Sequence, residues 1–419
     1  MGLFCKDAGF GLSAQHQVRG RILPIAALIF APQTDVDTVP APQIRVVGQS
    51  VLEYQVRTAH RAGAQHILIF AERISPDILA ASDRLARDNI KVEIVRTVEE
   101  AGDHLHPDEL TIITAANVVA EPAVYRGLAQ NENVGILALR DAAGLETLER
   151  IDGFTRWSGL ALVSGSLVRQ TARTVGDWDF AGTLLRQALQ SGVGLEILDQ
   201  RHSDAPLIAI VQDQDTAALV NKSLLHDDQD VPFAGLIDYY LWTPLSSFLM
   251  LILLRGSAEP NIWVALVALL NLLTLVSVWL APMIVPMTLF VVAALVARIA
   301  QRLVHISLRN AKLLDIVNAG RAIVGGISLV IMARRLVDYG IGWGYYILAV
   351  WLLVEMFRLA VVDPWFVGKH GLPVWRATPD AVALGLIVGH LTDFDVLSLE
   401  LMIAYAIASS GILKMPRRS

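Results

Sequence analysis

Five cationic side chains, Arg298, Arg302, Arg309, Lys312 and Arg321, fall within 24 residues directly after the longest uncharged run of the chain. Guanidinium and ammonium groups donate to phosphate or carboxylate oxygens, so this cluster suits an anionic lipid or headgroup. A basic loop merely drawn to an anionic membrane surface would have the same composition. Carboxylates are scarce beside it, and Asp315 stands alone between Val304 and Leu329. One carboxylate cannot hold two divalent cations against the charge of a pyrophosphate. Upstream, Asp213 and Asp215 suit either cation ligation or the N-terminus of a helix opening at Thr216. Glu355 and Arg358 stand three apart and can pair on one helix face, and His390 falls near the end of an apolar segment. The lone Cys5 excludes an intrachain disulfide framework and fits a reducing compartment.

The elements that must position these groups differ between the two parts of the chain. From Asn261 to Ala297 there are 37 residues without Asp, Glu, Lys, Arg or His, and Pro282 and Pro286 stand mid-run. One transmembrane helix needs only about 20 residues, so two helices joined by a tight turn are expected. Further apolar stretches predict helices over about 262–281, 284–303, 314–333, 341–362, 380–392 and 396–413. Charge divides the chain as well. Residues 1–230 carry 20 Lys+Arg against 30 Asp+Glu, and residues 231–419 carry 14 against 10. An acidic water-soluble part therefore precedes a basic membrane part, and no nucleic-acid partner is expected. Residues 23–211 alternate short apolar runs with amphipathic stretches, which predicts a mostly parallel α/β sheet. No export signal is visible, so the soluble part is expected in the cytosol, on an inner membrane. Loop charges agree: Arg298–Lys312, Lys369 with Arg376, and Lys414 with Arg417 and Arg418 face the cytosol, with Arg334 and Arg335 discordant.

The segment PAPQIRVVGQSVLEYQVRTAHRAGAQHILIFA resembles the stretch after the first strand of sugar-phosphate nucleotidyltransferases. On that pattern Gly48 matches a family glycine, and the phosphate-holding lysine falls on Ala41. The family's Gly-rich, Arg-containing loop falls on APQTDVDTVP, which has neither residue and carries two carboxylates. A phosphate cradle needs close backbone N–H groups and a cation, so this loop repels a triphosphate. The resemblance places the family's Mg²⁺-holding aspartate on Asn117. Its second metal aspartate falls in VQDQDTAALVNKSLL, where Asp213 and Asp215 remain.

The segment FAGLIDYYLWTPLSSFLMLILLRGSAEPNIW resembles the entry to CDP-alcohol phosphatidyltransferases, with Pro260-Asn261 matching the family's pair before the first span. That family carries D-x2-D-G-x2-A-R-x8-G-x3-D-x3-D, whose carboxylates hold divalent cations and deprotonate the alcohol. Placing Ala311-Lys312 on its Ala-Arg puts Val304, Ser307, Gly325 and Leu329 on the four aspartates. The order of the two domains is similar to that of a bifunctional enzyme that makes CDP-inositol and then transfers inositol phosphate from it.

The fold class expected is thus an α/β nucleotidyltransferase-like (Rossmann-like) domain followed by an all-α polytopic membrane domain of about six helices. Its expected parts are an N-terminal tail over 1–21, the α/β domain over 22–225, a linker with an interfacial helix over 226–261, the membrane domain over 262–413, and a basic tail over 414–419. No position is expected to be catalytic or to hold a metal, and Mg²⁺ enters only on the transferase reading. The functional expectation is a membrane-anchored degenerate homologue that binds anionic lipid, pairing with itself or with an active relative. A divergent active transferase and a transporter-like protein are the alternatives.

Overall fold

The computed structural model describes residues 25–32, 44–131, 134–141, 145, 147–174, 179–198, 207–227, 235–253, 260–338, 342–370 and 376–413. Ala41, most of the loop expected to cradle phosphate, and the basic tail lie outside them.

The N-terminal part is a seven-stranded sheet. It is built from β1 (Ile25–Phe30), β4 (Ala64–Phe70), β5 (Glu93–Val95), β6 (Leu110–Thr114), β8 (Gly135–Arg140), β9 (Thr155–Ser164) and β10 (Gly194–Leu198). Their order is β10-β8-β9-β6-β1-β4-β5. β1 runs parallel to β4 and β6, β4 parallel to β5, and β8 parallel to β10, while β9 is antiparallel to β6 and β8. The central strand IAALIF is apolar throughout, as a strand covered on both faces must be. One face packs against α1 (Val51–Arg61), α2 (Pro76–Arg87) and α4 (Pro122–Gln130). The other packs against α3 (Val98–His104), α5 (Gly165–Thr174) and α6 (Phe180–Gln190).

Local chemistry sets these boundaries. Ser50 and Glu53 form a reciprocal capping box that starts α1, and Gly63, at φ 112°, turns the chain into β4. Ser75 caps α2 ahead of Pro76, and Thr97 caps α3. Two small antiparallel pairs complete the domain: β2 (Arg45–Val46) with β3 (Gln49–Ser50), and β7 (Val118–Ala120) with β11 (Ile208–Ile210). The turn between β2 and β3 puts Val47 at φ 50° and Gly48 at φ 72°. Positive φ at both central residues gives the tight hairpin its twist, although a β-branched residue rarely adopts it.

The last element of the domain is α7 (Gln214–Asp227). A π-helical turn, Asp238–Trp242, and α8 (Thr243–Leu253) then lead to the membrane part. Helical backbone runs without a break from Leu236 through this turn to Leu253.

The C-terminal part holds α9 (Pro260–Leu280), α10 (Ile284–Ile306), α11 (Lys312–Asp338), α12 (Trp343–His370), α13 (Pro379–Leu391) and α14 (Asp395–Leu413). Among the described residues, three helices, Asn261–Leu280, Ile284–Ile306 and Lys312–Val337, are long and apolar enough to cross a membrane. The pair Arg334 and Arg335, at odds with the loop charges, has structural employment. Arg335 donates to the carbonyls of Val278 (2.6 Å) and Ala281 (2.9 Å), which the end of α9 leaves without helical partners. Arg334 stacks over the Trp343 ring at 4.8 Å.

The two parts share a core. Val46, Val47, Tyr54, Val220 and Leu224 of the sheet domain pack with Met250 of α8 and with Ile299, Leu303, Ile306 and Leu308 at the end of α10.

Candidate functional site

In open α/β sheets a ligand binds beyond the carboxyl ends of the strands, where the strand order reverses. Here that point lies between β1 and β6. The described residues at these two ends are Phe30, Ala31 and Pro32, then Thr114 to Asn117, and they bring neither cation nor carboxylate. Phe30, Phe70 at the end of β4 and Phe180 at the start of α6 fill one side. Their ring centroids lie 5.5–5.7 Å apart, and all three are buried. Tilted and edge-on contacts at this spacing are favourable beyond simple burial. The sequence signal for this trio is an aromatic at the last position of two neighbouring strands.

Asn117 sits in a half-buried turn at φ 59°, a conformation that Asn tolerates. Gln55 fixes that turn by donating to the carbonyls of Ala115 (2.9 Å) and Val118 (2.7 Å). The Asn117 carbonyl accepts from the N–H of Val211 at 2.9 Å. The structure therefore brings Asn117 beside the segment of Asp213 and Asp215. The Asp213 carboxylate is already engaged, accepting from the backbone N–H (2.7 Å) and hydroxyl (2.8 Å) of Thr216. Those bonds hold its pKa below the usual carboxylate range. Asp213 is thus the cap that starts α7. Asp215 is exposed in the first turn, where an anion complements the helix dipole.

The five cations do not share one open face. Arg298 pairs at 3.2 Å with Asp238, both almost fully buried. Arg302 is 4% exposed and donates to the hydroxyls of Ser246 (3.1 Å) and Ser247 (2.6 Å) on α8. Arg321 pairs with Asp380 at the start of α13 and lies over the Phe290 ring. Lys312 is exposed at the start of α11, and Arg309 accepts at its carbonyl from Arg61 of α1. The partners Asp238 and Asp380 lie about 60 residues away in sequence, beyond any local spacing rule. A buried guanidinium demands such partners, because an uncompensated charge in a low-dielectric site is costly. Glu355 and Arg358 meet at 2.8 Å, as their spacing implies, and His390 Nδ1 lies 3.0 Å from Asp395.

Between α9, α10, α11, α12 and α13 lies a cavity of about 890 Å³. Its walls are overwhelmingly apolar and include Phe290, Leu329, Met332, Tyr345, Leu352 and Val382, with Arg376 in the wall near the start of α13. Gly325 and Leu329, two of the positions aligned with the aspartates of the transferase pattern, line it. The other two, Val304 and Ser307, are buried at the end of α10. Asp315 is exposed and does not line the cavity. The glycines serve packing: a Cβ on Gly325 would stand 2.9 Å from the Phe290 ring, and one on Gly326 would stand 2.8 Å from Leu353.

No protein-family model matches the chain, and no curated protein matches it. Among solved structures it is similar to a Bacillus anthracis chain described as a glucose-1-phosphate thymidylyltransferase. Identity is 12% and the TM-score 0.36, over 50% of this chain and 98% of that one. At that distance the strand order and the apolar helices described above define the architecture. The chain is an α/β sheet domain followed by a helical region with three candidate spans.

Proposed function

We propose that this protein is a membrane-anchored, non-catalytic relative of the two-domain transferases it resembles, and that its helical part holds a lipid. The observation that carries the reading is the 890 Å³ apolar cavity, which presents Gly325 and Leu329 where the transferase pattern requires acids. Apolar walls accept acyl chains, and Arg376 supplies a cation for a phosphate or carboxylate headgroup. The sheet domain supports the same reading, with aromatic rings at its strand ends and Asn117 in place of a metal-binding acid. In this proposal the sheet domain is cytosolic, the helices lie in the inner membrane, and the partner is a second copy or an active relative.

Native mass spectrometry of the full chain released from detergent tests the proposal. The wild type is expected to carry an adduct of phospholipid mass. Ala383→Phe, which places a phenyl ring in the cavity wall, is expected to lose that adduct while keeping its helical circular dichroism. Equal occupancy in a folded Ala383→Phe variant would overturn the reading.

A further inference from the structure

At the edge of the sheet farthest from the strand ends described above, His66, Glu93 and His104 converge. His66 stands near the start of β4, Glu93 opens the edge strand β5, and His104 closes α3. Their placement follows from the pleat. His66 shares a face with Leu68, Leu68 is the cross-strand partner of Glu93, and α3 packs on that same face through Ala101 and Leu105. One ligand atom from each of the three lies within 4.8 Å of the others. A Glu93 carboxylate oxygen is 3.7 Å from His66 Nε2 and 2.8 Å from His104 Nδ1.

We propose that these three side chains bind a borderline divalent transition metal, with Zn²⁺ the best fit. Zn²⁺ takes imidazole nitrogen and carboxylate oxygen at about 2.0–2.2 Å, which sets tetrahedral donor separations near 3.4 Å. The two separations to the Glu93 oxygen bracket that value and the two imidazoles lie within 4.8 Å of each other, so side-chain rotations complete the site. Two imidazoles and a carboxylate favour Zn²⁺, Co²⁺ or Ni²⁺ over Mg²⁺ and Ca²⁺, which require oxygen donors.

A second observation points the same way. His66 Nδ1 faces a Glu109 carboxylate oxygen at 3.6 Å, and that oxygen is fixed by the His106 backbone N–H at 3.1 Å. At 3.6 Å the pair is just beyond a hydrogen bond, and a small rotation would let Glu109 accept from Nδ1–H and leave Nε2 for the metal, the second layer that metal-binding histidines use. Glu109 is largely shielded from solvent, unlike the ligands Glu93 and His104. A metal here would join β4, β5 and α3 and fasten a three-residue edge strand that otherwise has few bonds. A fourth position remains for water or for a donor from another molecule.

The test is a Zn²⁺ titration of untagged, chelator-stripped full-length protein in competition with a chromophoric chelator, followed by Co²⁺ absorption. The expected result is one Zn²⁺ per chain at micromolar Kd or tighter and tetrahedral Co²⁺ bands. His66→Gln with His104→Gln should weaken binding at least about 100-fold, and Glu109→Gln alone should weaken it about 10-fold. These positions lie outside the core, so circular dichroism should stay unchanged. A wild type with no stoichiometric Zn²⁺ binding, or a double variant that binds as tightly as the wild type, reduces the cluster to surface ion pairs and overturns the proposal.

Discussion

Gln49 Nε2 donates to the carbonyl oxygen of Ser307 at 3.0 Å, joining residues 258 apart in sequence. Gln49 belongs to the hairpin ahead of α1, and Ser307 ends α10. The amide oxygen of Gln49 meanwhile accepts from Arg57, which is fully buried. Just beyond Ser307, Leu308 turns left-handed at φ 57°, and the N–H groups of Leu308 and Arg309 close on His305 and Val304. That helix end normally recruits glycine. The chain uses leucine instead, whose side chain joins the core shared by the two parts. The sheet domain therefore covers the end of the helix where the transferase pattern would carry its first acids.

Gln49→Ala should loosen this joint. It removes the donor to the Ser307 carbonyl and one acceptor of Arg57, which keeps Asp88 and Glu53, and an unsatisfied buried carbonyl costs about 1–3 kcal/mol. Limited proteolysis should then cut between the parts at lower denaturant than in the wild type.

Acid should weaken the sheet domain through Glu53. Burial alone would raise its pKa, but hydrogen bonds from Arg84 and the Ser50 N–H, with the charges of Arg57 and Arg84, hold it below 4.5. A depressed folded-state pKa gives stability that is present above the unfolded value and lost as pH falls through the folded one. Wild-type stability should therefore drop as pH falls below about 4.5. Glu53→Gln should be less stable near pH 7, by roughly 3 kcal/mol, and should show a smaller drop than the wild type in chemical-denaturation curves.

Asp238→Ala leaves Arg298 buried without its carboxylate and should cost roughly 3–5 kcal/mol. Replacing both residues, Arg298→Leu with Asp238→Leu, should recover most of the loss in thermal unfolding. Arg302→Gln should likewise disturb folding, because the guanidinium holds two serines of α8. Lys312→Gln, at an exposed site, should leave stability unchanged and test surface attraction to anionic lipid alone.

Much of this architecture was legible in the sequence. The strand runs IAALIF, QHILIF and LTIIT and the six C-terminal helices fall where periodicity and the proline pair put them, and three of those helices are, among the described residues, long and apolar enough to cross a membrane. Glu355 and Arg358 lie within one helical turn, so their contact could be read from spacing. The partners of Arg298 and Arg321 could not, because tertiary packing of the π-helical turn and of α13 brings the acids in from a distance. The antiparallel direction of β9 and the short β7 and β11 were not legible for a related reason. A run of apolar residues signals a buried strand but carries no direction, and three-residue strands carry no period.

Phe180→Ala should cost about 3–5 kcal/mol, since it empties a three-ring contact in the core. It should not create nucleotide affinity. Isothermal titration of the full chain with CTP and Mg²⁺ should show no micromolar binding in either form.

The central claim is that the membrane cavity holds a lipid and performs no phosphotransfer. The most direct measurement is release of labelled CMP from CDP-diacylglycerol by the purified protein in proteoliposomes with Mg²⁺ and a panel of polyol and polyol-phosphate acceptors, with lipid retention measured on the same sample. We predict bound phospholipid and CMP release no greater than from protein-free liposomes. Mg²⁺-dependent CMP release that is abolished by Ala383→Phe would contradict the account.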